Sequence, residues 1–339
     1  MVEDLSSCYK DTYALKIPKM SSLILKMITL VIATICGLYI CSMCLKQISN
    51  QTKPNIEVIE RLSNSYDTIN SETPYLHYPH PETFNRAECA GNPVRFFVII
   101  SMQRSGSGWF ETLLNSHTNV SSNGEIFSVN SRRSNISSII RTLDRVYNLD
   151  WFNSASKNEC SAAVGFKWML NQGLMDYPSE IGEYFSRRRV SAIFLFRRNQ
   201  LRRLISVLAN SYDSHAKQLN GTHKAHVHSL EEAETLSKYK PLINSTSLLS
   251  ALKDSEFTMA QALAFFNRTR YITLYYEDLI KNNTKLVDVQ NFLKIPRMKL
   301  RSQHVKIHKG PLRDHIENWE DVNKTLIGTA YEKFLHLDY

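Results

Sequence analysis

The chain has 339 residues, of which 43% are hydrophobic and 22% are charged, so most of it is predicted to be globular. The small numbers of Gly (11) and Pro (10) exclude collagen-like and low-complexity architectures, and only six cysteines exclude a small disulfide scaffold. Residues 1–92 carry 8 basic and 9 acidic residues, a net charge of −1, whereas the remainder carries 33 and 23, a net charge of +10. The C-terminal part is therefore predicted to meet an anionic ligand, an anionic polymer or a membrane surface.

A membrane anchor is predicted near the N-terminus. Residues 27–45 (MITLVIATICGLYICSMCL) form a run of 19 residues without a charge, enough for a helix to cross about 30 Å of hydrocarbon. Four lysines precede this run and two follow it closely, so residues 1–26 are predicted to be a cytosolic tail and the rest of the chain to be lumenal. A cleaved signal peptide is the alternative, although the polar lead and the apolar run are both long for one.

Two further features are consistent with a lumenal domain. All Asn-x-Ser/Thr sequons follow the apolar run, as glycosylation in the lumen requires. They lie at Asn50, Asn119, Asn135, Asn220, Asn244, Asn267, Asn282 and Asn323. After the run there are two cysteines, Cys89 and Cys160, which would form one disulfide in an oxidising compartment or remain as two free thiols.

Residues 46–92 are polar and are predicted to be a stem, and residues 93–339 are predicted to form the globular domain. Continuous apolar runs, typical of strands buried on both faces of a sheet, predict the strands Val94–Ser101, Ala162–Leu170, Val190–Phe196 and Tyr271–Tyr276. Helices are predicted at Trp109–His117, Ser134–Tyr147, Asn199–Ser211, Glu256–Asn267, Leu279–Leu293 and Val322–Leu335. This alternation indicates a three-layer α/β domain with a parallel sheet, in which the polar residues 213–250 form an insertion or a long loop.

The turn after the first strand has the composition of a phosphate-binding loop. In the segment 100–117 (ISMQRSGSGWFETLLNSH), a buried strand is followed by a Ser/Gly loop and the start of a helix. Unpaired N–H groups and the helix dipole favour an anion there, and Arg104 adds a guanidinium suited to phosphate or sulfate oxygens. An ordinary strand-to-helix turn is the alternative. Trp109 follows Gly108 where a Walker A loop needs Lys and Ser/Thr, so an ATPase or GTPase is not predicted.

The residues Gln103-Arg104-Ser105-Gly106-Ser107-Gly108-Trp109 resemble the nucleotide-binding loop of sulfotransferases that use 3′-phosphoadenosine-5′-phosphosulfate (PAPS). The chain is most similar to the carbohydrate-type members, including bacterial nodulation-factor sulfotransferases and their membrane-anchored plant relatives. The resemblance implies the parallel three-layer sheet of P-loop nucleotide kinases and a PAPS site formed by residues 104–109. Gly108 departs from the family pattern, in which a second Thr or Ser is common.

Two further motifs of the family are matched more weakly. The resemblance implies that Arg198, after the third predicted strand, and Ser206, eight residues later, hold the 3′-phosphate of PAPS. Arg197 is the alternative to Arg198, because the Asp-Pro that fixes the register in the family is replaced by Asn-Gln. A basic loop near the C-terminus, with Lys309 and Gly310, is implied to close over the nucleotide.

The resemblance also implies the catalytic groups. Arg104 would stabilise negative charge on the leaving nucleotide, and Glu125, which follows the first helix by a short loop, would accept the proton of the acceptor hydroxyl. His117 is the competing base, although its place at the end of a helix favours a structural role. No metal site is predicted from the spacing of the His, Cys and carboxylate residues.

The sequence therefore predicts a Golgi membrane enzyme with one N-terminal anchor that sulfates a carbohydrate hydroxyl. A protein tyrosine is the alternative acceptor, and a non-catalytic lumenal binding protein on the same fold is the alternative from another class. Nucleic acid is not a predicted partner, since no known binding module is present and the domain is predicted to enter the lumen.

Overall fold

A computed structural model describes residues 27, 30, 31, 34, 94–151, 153, 161–282 and 284–336. The chain divides into two units, residues 1–70 and 71–339. In the first unit, the hydroxyl of Thr34 donates a hydrogen bond to the carbonyl of Val31. The predicted tail, the stem, Cys89, Cys160 and all but four residues of the predicted anchor lie outside the described residues. Within those that are described, no helix is both long and apolar enough to span a membrane.

The described part of the second unit contains a five-stranded sheet in which every pair of neighbours is parallel. The strands are β1 (Arg95–Ser101), β2 (Val120–Ser122), β3 (Ala163–Met169), β4 (Ser191–Phe196) and β5 (Tyr271–Tyr275), in the spatial order β2-β3-β1-β4-β5. The four predicted strands and their parallel arrangement are confirmed. The sequence does not predict strand β2, because three residues are too few to show a periodic pattern.

The helices alternate with these strands. They are α1 (Ser107–Asn115), α2 (Ile136–Tyr147), α3 (Pro178–Arg188), α4 (Gln200–Ala216), α5 (Leu230–Ser237), α6 (Ser245–Phe265), α7 (Tyr276–Lys281), α8 (Thr284–Phe292), α9 (Trp319–Leu326) and α10 (Lys333–His336). The prediction of a long loop over 213–250 is wrong, because α4 extends into this stretch, α5 lies within it and α6 begins before its end. The predicted C-terminal helix 322–335 is instead two short helices, separated by a segment in which Gly328 has a φ of 77°.

The sheet lies between two helical layers, as predicted. Alternate side chains of β1 point to opposite faces, so that Val98 and Ile100 belong to one hydrophobic core and Phe97 and Ile99 to the other. The first core includes residues of α2, α3 and α6, and the second includes residues of α1 and α8. Because the middle strands are buried on both faces, their continuous apolar sequences suit this architecture.

The topology creates a crevice at the carboxyl ends of β1 and β4, which are neighbours. The chain leaves β1 toward β2 on one side of the sheet and leaves β4 toward β5 on the other side. Ligands bind in parallel sheets at such a point, where successive connections diverge. The loop that follows β1 and the start of α4 meet there, so the fold brings together the two segments that the sequence singled out.

Candidate active site

The loop between β1 and α1 forms a tight backbone cradle. Arg104 and Gly106 both have left-handed φ angles, of 64° and 82°. A Cβ atom on Gly106 would lie 2.4 Å from the ring of Tyr276, so glycine is required there by both conformation and space. The Ser105 side chain is fully buried, and its hydroxyl has no hydrogen-bond partner in the described structure. A buried hydroxyl without a partner is uncommon, and the N–H groups at the adjacent helix N-terminus favour an anion.

This cradle opens into a cavity of about 320 Å³, within the usual range of small-molecule sites. Its walls come from the cradle, the residue after β4, α4, α7, the segment before α5 and the segment before α9. The lining residues are Arg104, Gly106, Ser107, Gly108, Trp109, Arg197, Ser206, Ala225, His226, Val227, Tyr276, Ile280, His304, Val305, Lys306, Ile307 and His308. All the predicted residues of 104–109 except the buried Ser105 thus line one cavity, and Ser206 lies in the same cavity.

Arg104 turns its guanidinium toward α4. Its Nε donates to the hydroxyl of Ser206 at 2.9 Å, and its Nη1 donates to Asn210 Oδ1 at 3.3 Å and to the carbonyl of Ala225 at 2.6 Å. All three acceptors are neutral. Burial and then the nearby Arg197 lower the pKa of Arg104 to about 10, and no carboxylate among the described residues is bonded to its guanidinium. An anion in the cavity would compensate its positive charge.

The two adjacent arginines after β4 have different environments. Arg197 lines the cavity, is 8% exposed, and places its guanidinium 5.4 Å from the ring centre of Tyr276 and its Nε 3.9 Å from Glu277. Arg198 points to the surface, where its Nη2 lies 2.7 Å from Asp278 and its guanidinium stacks 3.9 Å from the ring centre of Tyr275. The predicted pairing of Arg198 with Ser206 is thus corrected, since consecutive side chains at the end of a strand point in opposite directions. Arg197, the alternative, shares the cavity with Ser206.

The predicted C-terminal basic loop borders the cavity, but through other residues than expected. His304, Lys306 and His308 line it, whereas Lys309 and Gly310 are exposed and lie just beyond the lining. The carbonyl of Gly310 accepts a hydrogen bond from Arg202 at 2.7 Å, which ties this loop to α4. Lys309 and Gly310 thus belong to the segment that covers the site without lining it.

One histidine from the polar stretch 213–250, His226, also reaches the cavity. His226 lies directly against α1, so that a Cβ atom on Gly108 would be 2.3 Å from its Nε2. The absence of a second Thr or Ser at position 108 is thus explained, because this histidine occupies the space. Burial, followed by the charges of His315 and Arg104, lowers the pKa of His308 to about 3. Burial first, and then the surrounding positive charges, lower the pKa values of His226, His304 and His308 and favour the neutral imidazole.

The predicted base Glu125 lies beside the cavity rather than in its lining. Its side chain is 32% exposed, and its Oε2 lies 3.6 Å from Nζ of Lys167, a lysine within β3. Lys167 links Glu125 to the cavity. Burial lowers the pKa of the cavity residue His226, and the positive charge of Lys167 is the next largest cause. Lys167 was not singled out from the sequence, although a lysine inside a continuous apolar strand (AVGFKWM) is itself a signal, because buried lysines need a partner.

His117, the competing base, has a structural role. It is fully buried, its Nδ1 accepts the backbone N–H of Asn119 at 3.0 Å, and its Nε2 is 2.7 Å from the carbonyl of Pro296. Both ring nitrogens are thus engaged away from the cavity. Among the described residues, no group of three or more His, Cys, Asp or Glu side chains is arranged to hold a metal ion.

No protein-family model matches the chain, and no curated protein matches it. Several solved structures align with it, among them the following two. One is a sulfotransferase from Alicyclobacillus acidocaldarius, with 13% identity over 72% of this chain and 97% of that chain, and a TM-score of 0.37. The other is a sulfotransferase domain from the curacin biosynthetic pathway, with 15% identity over 71% of this chain and 89% of that chain, and a TM-score of 0.31. Since these values are low, the evidence for function comes from the residues of the cavity.

Proposed function

We propose that this chain is a sulfotransferase that moves a sulfuryl group from PAPS to a hydroxyl of a carbohydrate acceptor. The observation that carries the proposal is the cavity at the carboxyl ends of β1 and β4, where the chain leaves the two strands in opposite directions. It combines a backbone cradle with Arg104, whose hydrogen bonds all go to neutral acceptors, and with the buried Arg197. Such a cavity suits a ligand with more than one anionic group. The sequence resemblance of residues 103–109 supports PAPS as that ligand.

The residues present fit a nucleotide with two separate anionic ends. The cradle offers Ser107, which lines the cavity, and the N–H groups at the start of α1 to one end. Arg197 and Ser206 offer a charge and a hydroxyl to the other end, with Arg104 bonded to Ser206 between them. A nucleoside triphosphate is a poorer fit, because Trp109 stands where a P-loop places the lysine that binds its β- and γ-phosphates.

The chain's own residues would provide charge stabilisation and proton transfer. PAPS, when bound, supplies an activated sulfuryl group. Sulfuryl transfer resembles phosphoryl transfer in its loose transition state, so catalysis depends mainly on positioning and on charge stabilisation. Arg104 and Arg197 would stabilise negative charge on the nucleotide side of the cavity. Glu125 would accept the proton of the acceptor hydroxyl as the new bond to sulfur forms.

The proposed location is the Golgi lumen, with a single N-terminal anchor. The lysines before the apolar run and the sequons after it support this orientation. A carbohydrate is the proposed acceptor by resemblance to the carbohydrate-type members, and a protein tyrosine is the alternative within the class. A lumenal protein that binds a nucleotide without transferring sulfate is the alternative from another class.

The full-length chain, purified in detergent, should be incubated with radiolabelled PAPS and a panel of neutral glycans, acidic glycans and tyrosine peptides. We expect label to appear in at least one glycan, and Arg104→Met to abolish both nucleotide binding and transfer. Label in the peptides alone would favour the tyrosine alternative. Binding of adenosine 3′,5′-bisphosphate without transfer to any acceptor would favour the binding protein, and absence of binding would refute the proposal.

A further inference from the structure

Three ionisable side chains form a continuous group beside the cavity: Glu111 on α1, Lys167 on β3 and Glu125 after β2. Nζ of Lys167 lies 3.4 Å from Oε2 of Glu111 and 3.6 Å from Oε2 of Glu125. The side chains of Lys167 and Glu111 are 8% and 9% exposed, whereas that of Glu125 is 32% exposed. The buried lysine is therefore shared between one buried carboxylate and one that solvent or a substrate can reach.

The second oxygen of Glu111 holds the loop that leads to Glu125. Its Oε1 accepts the hydroxyl of Ser122 at 2.6 Å and the N–H of Gly124 at 2.9 Å. The carbonyl of Gly124 in turn accepts the backbone N–H of Lys167 at 2.9 Å. Glu111 and β3 thus fix the backbone immediately before Glu125 from two sides.

Glu125 is also held from its other side. Its Oε1 accepts a hydrogen bond from the side-chain amide of Gln172, in the turn after β3. The carbonyl of Gln172 accepts the indole N–H of Trp168 at 2.8 Å, and the Trp168 ring stacks on Phe127 with 4.0 Å between ring centres. Each oxygen of the Glu125 carboxylate therefore faces a donor that is anchored in the core.

Charge balance explains why two carboxylates share one lysine. A buried ammonium that loses its only counter-ion is strongly destabilised. When Glu125 takes up a proton it becomes neutral, and Lys167 would then be unpaired if Glu125 were its sole partner. The contact of 3.4 Å with Glu111 gives Lys167 a second partner, so the protonation of Glu125 would not leave an isolated charge inside the protein.

We infer that Glu111 and Lys167 are positioning residues that act on the reaction through Glu125. This inference rests on the proposed function. In the step concerned, the acceptor hydroxyl gives its proton to Glu125 while its oxygen forms a bond to sulfur. The bond between sulfur and the donor nucleotide breaks, and its electron pair leaves with the nucleotide. Glu111 and Lys167 touch none of the reacting atoms, but they hold the carboxylate in place and compensate its change of charge.

A double-mutant cycle in the full-length chain tests the inference. Glu111→Gln keeps the size of the side chain and removes its charge, and a loosened base should lower turnover by about 10²-fold. The KM for PAPS and the affinity for adenosine 3′,5′-bisphosphate should stay close to the wild-type values. In the Glu125→Gln background, the same substitution should cause little further loss, because residues that act through one group are not additive. Glu183→Gln, on the exposed face of α3, is the matched control and should leave turnover unchanged.

The inference would be overturned if the turnover of the double variant fell by the product of the two single losses. Full turnover in Glu111→Gln would overturn it as well. If Glu111→Gln melts below the assay temperature, Ser122→Ala replaces it, because it removes one of the two donors to Oε1 of Glu111 and leaves the charges in place. Ser122→Ala should lower turnover only when Glu125 is present, and an equal loss in both backgrounds would contradict the role. Absence of transfer by the wild-type chain would instead refute the proposed function, so the two failures are distinguishable.

Discussion

Exchange of Arg197 for methionine tests the proposed nucleotide site most directly, because the neighbouring Arg198 provides a matched control. Methionine keeps an unbranched apolar side chain and removes the guanidinium, which lies 5.4 Å from the ring centre of Tyr276. Glu277, which faces Arg197, still accepts the backbone N–H groups of Arg198 at 2.9 Å and of Asn199 at 3.2 Å. The carboxylate is therefore not left without donors, and Arg197→Met is expected to fold.

The expected magnitude follows from the burial of Arg197. The residue is only 8% exposed, so a hydrogen bond between its guanidinium and a phosphate would form largely out of water. Hydrogen bonds to charged groups contribute about 1.5–3 kcal/mol, which corresponds to roughly 10- to 100-fold in affinity. If Arg197 binds the 3′-phosphate, that loss should apply to adenosine 3′,5′-bisphosphate and be much smaller for adenosine 5′-monophosphate, which lacks this group.

Arg198→Met should leave both affinities nearly unchanged. Its side chain is 47% exposed and is paired with Asp278, and surface ion pairs of this kind contribute about 0–1 kcal/mol to stability. Isothermal titration calorimetry measures the affinities of both nucleotides for both variants, and melting followed by circular dichroism checks that the variants are folded. Equal losses of the two nucleotides in Arg197→Met would refute the assignment, and a larger effect of Arg198→Met would favour the pairing of Arg198 with Ser206.

Three further predictions concern the base, the response to pH and the topology. Glu125→Gln should lower turnover by about 10²–10⁴-fold with unchanged binding of adenosine 3′,5′-bisphosphate, and a loss of nucleotide binding would instead indicate a structural glutamate. Because the pKa of His308 is about 3 in the folded chain and its ordinary value is 6.5, the unfolded state binds more protons between these values. The free energy of unfolding should therefore fall as the pH is lowered from about 6.5 toward 3, and less steeply in His308→Gln; identical slopes would contradict the shift. Glycosidase should increase the gel mobility of the chain by removing glycans from exposed sequons such as Asn220 and Asn267. Protease added to sealed vesicles should spare the residues after 46. Digestion of these residues in sealed vesicles would refute the lumenal orientation.

The sequence predicted the parts of the fold in which local pattern and tertiary environment agree. The continuous apolar runs of β1, β3 and β4 indicated buried parallel strands because those strands are covered on both faces. The polar stretch 213–250 hid α5 and the start of α6, since neither has a strong apolar periodicity. Their N-caps were visible signals: Ser229 accepts the N–H of Glu232, and Asn244 accepts that of Thr246.

The site likewise has one part that local sequence predicts and another that depends on packing. The composition of residues 103–109 was enough to predict an anion-binding cradle, because a strand, a Ser/Gly loop and a helix N-terminus produce one locally. The choice between Arg197 and Arg198 was beyond the sequence, since both follow the same strand and only the packing of Tyr276 and Asp278 shows which one faces the cavity.

The group around Glu125 depended entirely on tertiary structure. Its members come from α1, from the loop after β2 and from β3, and they are separated by 14 and 42 positions in the sequence, from Glu111 to Glu125 and from Glu125 to Lys167. No local periodicity links such residues. Local sequence determined the strands, the cradle and the type of chemistry, because these depend on neighbours along the chain. The sheet order β2-β3-β1-β4-β5 decided which charged side chains lie next to one another. Parallel strands end at the same edge of the sheet, so residues that are far apart in the sequence lie close together there.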